Sequence, residues 1–372
     1  MNRCNELLAL VLFALLGFTQ SPLAGQEPAA PKPEAAAPAA MPTPDEVRAV
    51  LLAALGKDEG ACAVAHIRCG SMTQVVGAGT VGTGGEIPNE RTIFEIGSIS
   101  KVFTATLWRL ALARKEVSAQ ATLGDCFDPA ALTGPARGIL LADLARHHSG
   151  LPRMPANFKP ARPANPYADY TLALAFEALA TWKPPAQPAT YAYSNLGVGL
   201  LGNALVARGG ADWASLIRTR ITAPLELHDT KVTLDDARLP RYAVPRTANK
   251  PFVTWTFDCL APAGALKSTT ADLLRFLSAQ ELCADEGLAN AFRDLRGTVS
   301  PAGGNSSIGF GWHIAPLADS KESLVWHNGG TGGSRSFCGF IPGRQVSIVV
   351  LANNSHADTD GAARQLLRPL LR

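Results

Sequence analysis

Strand-forming segments lie at both ends of this chain and are missing from its middle, so any sheet must be assembled from pieces far apart in sequence. Residues Ala61 to Arg68 and Gln74 to Val81 read as two short strands, with Gly70 and Ser71 near the turn between them. Strand patterns return at Phe310 to Ile314, Leu324 to His327, Ser336 to Ile341 and Gln345 to Ala352, the last two joined by a Pro342-Gly343-Arg344 hairpin turn. Between the two sets the apolar residues take helical spacing: Ile139 to His148, Leu172 to Thr181, Leu196 to Arg208, Trp213 to Arg220 and Asp272 to Ala279. Thr269 or Thr270 is placed to cap the last of these, and Pro-rich loops such as Pro152 to Pro166 and Pro184 to Pro188 separate the others. Helical patterns at Asp45 to Leu55 and Ala362 to Leu371 open and close the folded part. The expected fold is therefore α/β (α+β): one antiparallel sheet flanked by N- and C-terminal helices, with a mostly helical region inserted. The expected division puts 45–125 and 286–372 in the α/β part and 126–285 in the helical part, with a site in the cleft between them.

The first residues carry an address. Arg3 precedes an apolar run from Leu7 to Phe18, and small and turn-forming residues follow at Ser21, Pro22, Ala24 and Gly25. This is the pattern of a signal peptide over 1–25, too short to span a bilayer, and it implies export to a periplasm with no membrane insertion after the signal is removed. Residues 26–44 are almost entirely Pro, Ala, Glu and Lys, a composition that cannot offset its ordering entropy, so a disordered tether is expected there.

A formal charge of +3 on 372 residues, with no basic cluster interleaved with aromatics, argues against a nucleic-acid partner. Six cysteines remain after the signal: Cys62, Cys69, Cys126, Cys259, Cys283 and Cys338. An exported chain with an even count permits disulfides, but Cys62 and Cys69 on one strand would stand about 23 Å apart and do not pair with each other. No Cys-x-x-Cys or clustered Cys/His set points to a metal, no cofactor is implied, and a monomer is expected.

Chemistry is suggested by three stretches. In Phe94-Glu95-Ile96-Gly97-Ser98-Ile99-Ser100-Lys101-Val102-Phe103 a serine and a lysine stand three apart where an apolar run becomes a helix. Phe103, Leu107, Leu110 and Ala111 continue at helical spacing, so Lys101 shares a face with Ser98 and can favour ionisation of its hydroxyl. The alternative is that Ser98 simply caps the helix. In Ala192-Tyr193-Ser194-Asn195-Leu196-Gly197, a tyrosine and an asparagine two apart can both face a substrate, one to move a proton and one to bind an amide; the alternative is a turn tyrosine beside a local Asn bond. Leu324-Val325-Trp326-His327-Asn328-Gly329-Gly330-Thr331-Gly332-Gly333 runs from a strand into glycines that let a backbone N–H approach a substrate oxygen. His148-Ser149-Gly150 has the same His-x-Gly form but ends a helix before Leu151 and Pro152.

These three motifs, in this order, resemble the penicillin-recognising serine hydrolases: class C β-lactamases, DD-carboxypeptidases and their esterase relatives. The flanks at His148 to Pro152, Tyr193 to Gly202, Ala223-Pro224-Leu225, Pro262 to Leu266 and Gly309 to Trp312 are similar too, so the likeness runs from about Val64 to Leu351. The resemblance implies a β-lactamase/transpeptidase-like fold, Ser98 as acylated nucleophile, Lys101 as its activating neighbour and Tyr193 as general base. It implies Asn195 as the residue orienting the substrate amide, and the backbone N–H groups of Ser98 and Gly330 as the oxyanion hole. Class C β-lactamases have Lys-Thr-Gly as their third motif; here His327-Asn328-Gly329 stands in its place, as His does in several DD-peptidases and esterases of the family. Arg335 is the candidate for the missing cation. The implied activity is opening of β-lactam rings through an acyl-serine, with a DD-carboxypeptidase/endopeptidase on D-Ala-D-Ala peptides or a small-ester esterase as alternatives.

Overall fold

In the computed structural model, which describes residues 40–81, 85–187, 189–317 and 321–371, the two ends of the chain meet in one eight-stranded antiparallel sheet. Its strands are β1 (Cys62–Cys69), β2 (Met72–Gly79), β3 (Ser300–Gly303), β4 (Ser306–Ile308), β5 (His313–Pro316), β6 (Ser323–Gly330), β7 (Arg335–Ile341) and β8 (Val346–Ala352), arranged β2-β1-β8-β7-β6-β5-β4-β3. The join between the ends is the β1–β8 ladder, in register from Ala63↔Ala352 to Cys69↔Val346.

Both faces of this central pair are covered, which is why its strands read as continuous apolar runs. Val64, Val349 and Leu351 point to one core, whereas Ala63, Ala65, Ile67, Ile348 and Val350 point to the other, following the two-residue period of a strand. Helix α1 (Pro44–Leu55) covers the second face with Val47, Leu51 and Leu55, together with a C-terminal helix spanning Thr359–Leu367. Thr43 and Glu46 form a reciprocal cap on α1 (Glu46 N to Thr43 Oγ1 3.3 Å, Thr43 N to Glu46 Oε2 2.7 Å). The cap draws the last residues assigned to the tether into the folded unit. The leader over 1–25 and the tether up to residue 39 lie outside the described residues.

The first face carries the helical layer and the site. Helix α2 (Ser100–Ala113) is buried on nearly every side, as a helix at the centre of a large core must be. Helix α3 (Asn195–Gly209) crosses it, and α4 (Thr270–Leu282) and α5 (Glu286–Gly297) pack beside it, with Phe103 stacked on Phe276 at 4.3 Å and Phe276 edge-on to Phe292 at 5.6 Å. The C-terminal helix is therefore α6 (Thr359–Leu367). Thr269 is the residue that caps α4, its side chain accepting from Asp272 N.

Several elements differ from their sequence patterns, each for a local reason. The helix expected over 139–148 shortens to Leu141–Ala145, because His147 takes a left-handed φ of 62° and Gly150 one of 72°. Trp213–Ile217 passes into a π turn at Arg218–Thr222. Phe310 to Trp312 is not strand: Gly311, at φ 76°, bends the chain and β5 begins only at His313. The hairpin β3–β4 and helix α5 went unforeseen. The hairpin is short, polar and glycine-turned, whereas α5 carries legible signals, both an Asp285 cap and an apolar face at Leu288, Ala291, Phe292 and Leu295. All six described cysteines are free thiols, and Cys62 and Cys69 sit at opposite ends of β1. Among the described residues no helix is long and apolar enough to cross a membrane.

Candidate active site

Ser98 does not cap α2. It sits in a single 3₁₀ turn, Gly97–Ile99, held between the sheet and the helical layer, and neither that turn nor α2 has a side-chain cap bond. The turn is possible because two glycines remove the side chains that would collide. A Cβ on Gly329 would lie 2.1 Å from Ile96 O and 2.9 Å from Ser98 N, and one on Gly97, at φ 49°, would lie 2.7 Å from Gly330 N. Ser336 Oγ donates to Ile96 O at 2.8 Å and fastens the turn to β7. The same contacts set Ser98 N close against Gly329 and Gly330 N close against Gly97.

Lys101, the second residue of α2, points its side-chain nitrogen back at the serine: Nζ is 2.9 Å from Ser98 Oγ and 2.6 Å from Ala263 O. The residue is 1% exposed. Burial first, and then the positive charge of Arg153, hold its pKa well below the ordinary lysine value. Tyr193 hydrogen-bonds Ser98 from the other side, with Lys101 Nζ 4.9 Å from its ring centroid. Burial pushes the Tyr193 phenol above its ordinary value, and the Ser98 bond and Arg153 only partly oppose that. Both groups of the pair are thus driven towards their neutral forms. The geometry leaves the Lys101 amine and the Tyr193 hydroxyl as the two groups placed to exchange a proton with Ser98.

Asn195 stands at the start of α3, its Nδ2 3.5 Å from Met154 Sδ and its Oδ1 buried with no partner among the described residues. A buried, unpaired acceptor on a cleft wall suits a substrate N–H. Asn328 Nδ2 donates to Asp360 Oδ1 at 2.8 Å. Arg335 lies over Gly330, its Nη1 3.3 Å from both Thr331 O and Ser334 O.

His327 is the residue whose position departs most from expectation. It is 0% exposed and lies beneath the cleft wall. Its Nδ1 meets Asn328 O at 2.5 Å, so the one N–H of the neutral ring is already engaged, and Nε2 is buried without a partner. Burial, then His313 and Lys101, hold it well below the usual histidine range. With Nδ1 engaged and the ring 0% exposed, it presents no donor to a substrate carboxylate in the cleft. Of the two candidates for that work, only Arg335 reaches the cleft.

The cleft holds about 900 Å³ and is lined by Ser98, Tyr193, Asn195, Asn328, Gly329, Gly330 and Arg335, with Lys101 and His327 immediately below. Sequence reasoning missed several residues around it. His147, next to the His148 that was set aside, is buried and fixes the Tyr193 loop twice: its O accepts Ala192 N at 2.8 Å and its Nδ1 accepts Ser194 N at 3.1 Å. Its ring lies 4.6 Å from that of Tyr193. Glu95, three residues before the serine, accepts from Thr331 Oγ1 (2.5 Å), Trp255 N (2.9 Å) and Tyr242 OH (3.2 Å), tying the serine turn to the far wall. His147 stands one residue before the His148 to Pro152 flank, and no motif pointed to it or to Glu95.

His313 stacks on Trp326 at 4.8 Å and stands 5.2 Å from His327. Burial, then Lys101, push it down to about 4 from an ordinary 6.5. A depressed histidine costs nothing above the unfolded value and destabilises the fold as pH falls below about 6.5. Urea unfolding at pH 7 and pH 5 should therefore show a larger loss for the wild type than for His313→Gln, the difference approaching about 1.4 kcal/mol per pH unit. Equal losses would mean that His313 titrates normally.

A cleft between an antiparallel sheet and a helical layer, with a serine bonded to a buried lysine and tyrosine at its floor, defines a serine hydrolase. The family model described as Beta-lactamase matches residues 23–371, and the chain belongs to that family. It is 26% identical to a "Beta-lactamase" of Escherichia coli (strain K12), covering 76% of this chain and 81% of that protein. It is 25% identical to the "D-alanyl-D-alanine-carboxypeptidase/endopeptidase AmpH" of the same organism, over 72% of each chain. Among solved structures, a class C beta lactamase from Rhodobacter sphaeroides superposes with a TM-score of 0.77 at 22% identity, covering 88% of this chain and 99% of that one, which is a likeness of fold.

Proposed function

We propose that this protein is an exported serine hydrolase that opens β-lactam rings through an acyl-serine on Ser98. The observation that carries the reading is the 2.9 Å contact between Lys101 Nζ and Ser98 Oγ at the floor of a cleft. In the proposed sequence Ser98 Oγ attacks the lactam carbonyl while its proton passes to the neutral Lys101 amine. The N–H groups of Ser98 and Gly330 stabilise the oxyanion. As the C–N bond breaks, Tyr193 OH gives its proton to the leaving nitrogen and Lys101 restores it, leaving the pair neutral again. Water then attacks the ester, and the same pair carries its proton to Ser98 Oγ as the C–O bond breaks, which restores the hydroxyl. Asn195 Oδ1 accepts the substrate's side-chain N–H, and Arg335 faces the carboxylate beside the leaving nitrogen.

A second reading is a DD-carboxypeptidase/endopeptidase on D-Ala-D-Ala peptides, with Arg335 rather than the buried His327 facing the terminal carboxylate. The volume of about 900 Å³ also admits a peptide. The two differ in how fast water reaches the acyl-enzyme. The lifetime of the penicilloyl adduct, followed by intact mass, separates them: decay within seconds is the expected result, and an adduct lasting hours would make the protein a penicillin-binding peptidase. Comparison of nitrocefin with p-nitrophenyl butyrate tests the esterase alternative, since an esterase would turn over only the second.

A further inference from the structure

Arg153 follows the Leu151-Pro152 turn and lines the cleft. Its O accepts Asn195 N at 3.0 Å and Leu196 N at 3.4 Å, which fastens it to the loop carrying Tyr193 and Asn195, and its guanidinium carbon lies 5.0 Å from the Tyr193 ring centroid. The side chain is exposed to the cleft, and no carboxylate pairs with it among the described residues. The acids of the cleft are otherwise engaged: Asp358 Oδ1 accepts Gly361 N at 2.8 Å as the cap of α6, and Asp360 accepts Asn328 Nδ2. An unpaired guanidinium beside the residue suited to a substrate amide is a free anion receptor.

Next to it is an apolar shelf. Tyr167 stacks on Phe257 at 4.9 Å and 11° and meets Trp255 edge-on at 5.0 Å, and all three line the cleft with Arg153. Trp255 Nε1 is satisfied by Ala164 O at 2.9 Å, so the indole asks nothing polar of a ligand.

We propose that Arg153 and the Tyr167–Trp255–Phe257 shelf form a subsite on the Asn195 side of Ser98 that selects acyl groups carrying a carboxylate beside a planar or apolar group. With Arg335 on the sheet side, the cleft presents one guanidinium to each half of the substrate, so dianionic substrates are preferred over monoanionic ones. This rests on Ser98 being the acylated residue.

Carbenicillin and benzylpenicillin differ by one carboxylate on an aryl-bearing acyl side chain, and the ratio of their kcat/KM values reads the subsite. Arg153→Gln should lower that ratio about tenfold or more, as loss of a charge-assisted bond does, and Arg153→Lys should restore part of it. A fall common to both substrates with the ratio unchanged would overturn the proposal, leaving Arg153 as a charge acting on Tyr193 alone. Mono-p-nitrophenyl adipate against p-nitrophenyl hexanoate, corrected with Ser98→Ala, gives the same ratio on esters. Loss of the ratio there, without penicillin turnover, would sustain the subsite while the β-lactam reading fails. An unchanged ester ratio would overturn the subsite while Ser98 acylation stands, and no acylation by either pair would remove both.

Discussion

Ser98→Ala yields no penicilloyl or acyl adduct, and hydrolysis falls by at least about 10⁴-fold, the scale on which removal of a nucleophile acts. The expectation follows from the position of the hydroxyl: it is the group that Lys101 and Tyr193 both address, and the cleft opens directly onto it. The fold should not register the change. Ser98 Oγ caps no helix, so thermal unfolding should stay within about 0.5 kcal/mol of wild type. Mass analysis after incubation with a fluorescent penicillin reads the first part, and calorimetry the second. An adduct that persists in the variant would place the nucleophile elsewhere.

Gly329→Ala damages both stability and rate. The new methyl would sit 2.1 Å from Ile96 O, 2.5 Å from Ser336 Oγ and 2.9 Å from Ser98 N. Backbone on one side and a bonded hydroxyl on the other leave little room for repacking, so β6 and the serine turn must separate. Overpacking of this kind costs about 1–3 kcal/mol. Separation also parts the N–H groups of Ser98 and Gly330, and the loss of one oxyanion donor slows an acyl transfer by about 10²- to 10³-fold. Melting temperature and kcat measured on one preparation test the coupling. Wild-type turnover in a destabilised Gly329→Ala protein would show that the two N–H groups do not act together.

The fold was legible where burial is two-sided and the pattern long. The runs at β1, β7 and β8 are mostly apolar because helices cover both faces of the sheet, and the inserted helices carry apolar residues at helical spacing. Short polar elements escaped: β3 and β4 bury little, and their pairing depends on glycine turns rather than on apolar alternation. Of the site, the motif residues were visible because Ser98 and Lys101 share a helical face and Tyr193 and Asn195 share a turn. Their depth was not. Spacing cannot say that His327, inside β6, lies under the wall while Arg335, at the start of β7, lines the cleft, because that depends on how the two strands meet the helical layer. Nor can it reveal His147 or Glu95, whose partners, such as Ser194 and Thr331, lie far away in sequence.

The ladder that joins Ala63 to Ala352 also fixes the order in which the molecule can form. The β1–β2 hairpin emerges early from any machinery that makes or moves the chain, yet β1 must wait for β8, at the opposite end, before its second edge is paired. Pairing so remote in sequence is slow, and until it completes the hairpin offers an open edge to other chains. The serine turn is in the same position, since β6 and β7, which clamp it through Gly329 and Ser336, are also late arrivals. The nucleophile is thus assembled only when nearly the entire chain is available, and a molecule truncated before β6 would carry the Ser98 and Tyr193 motifs without a working site.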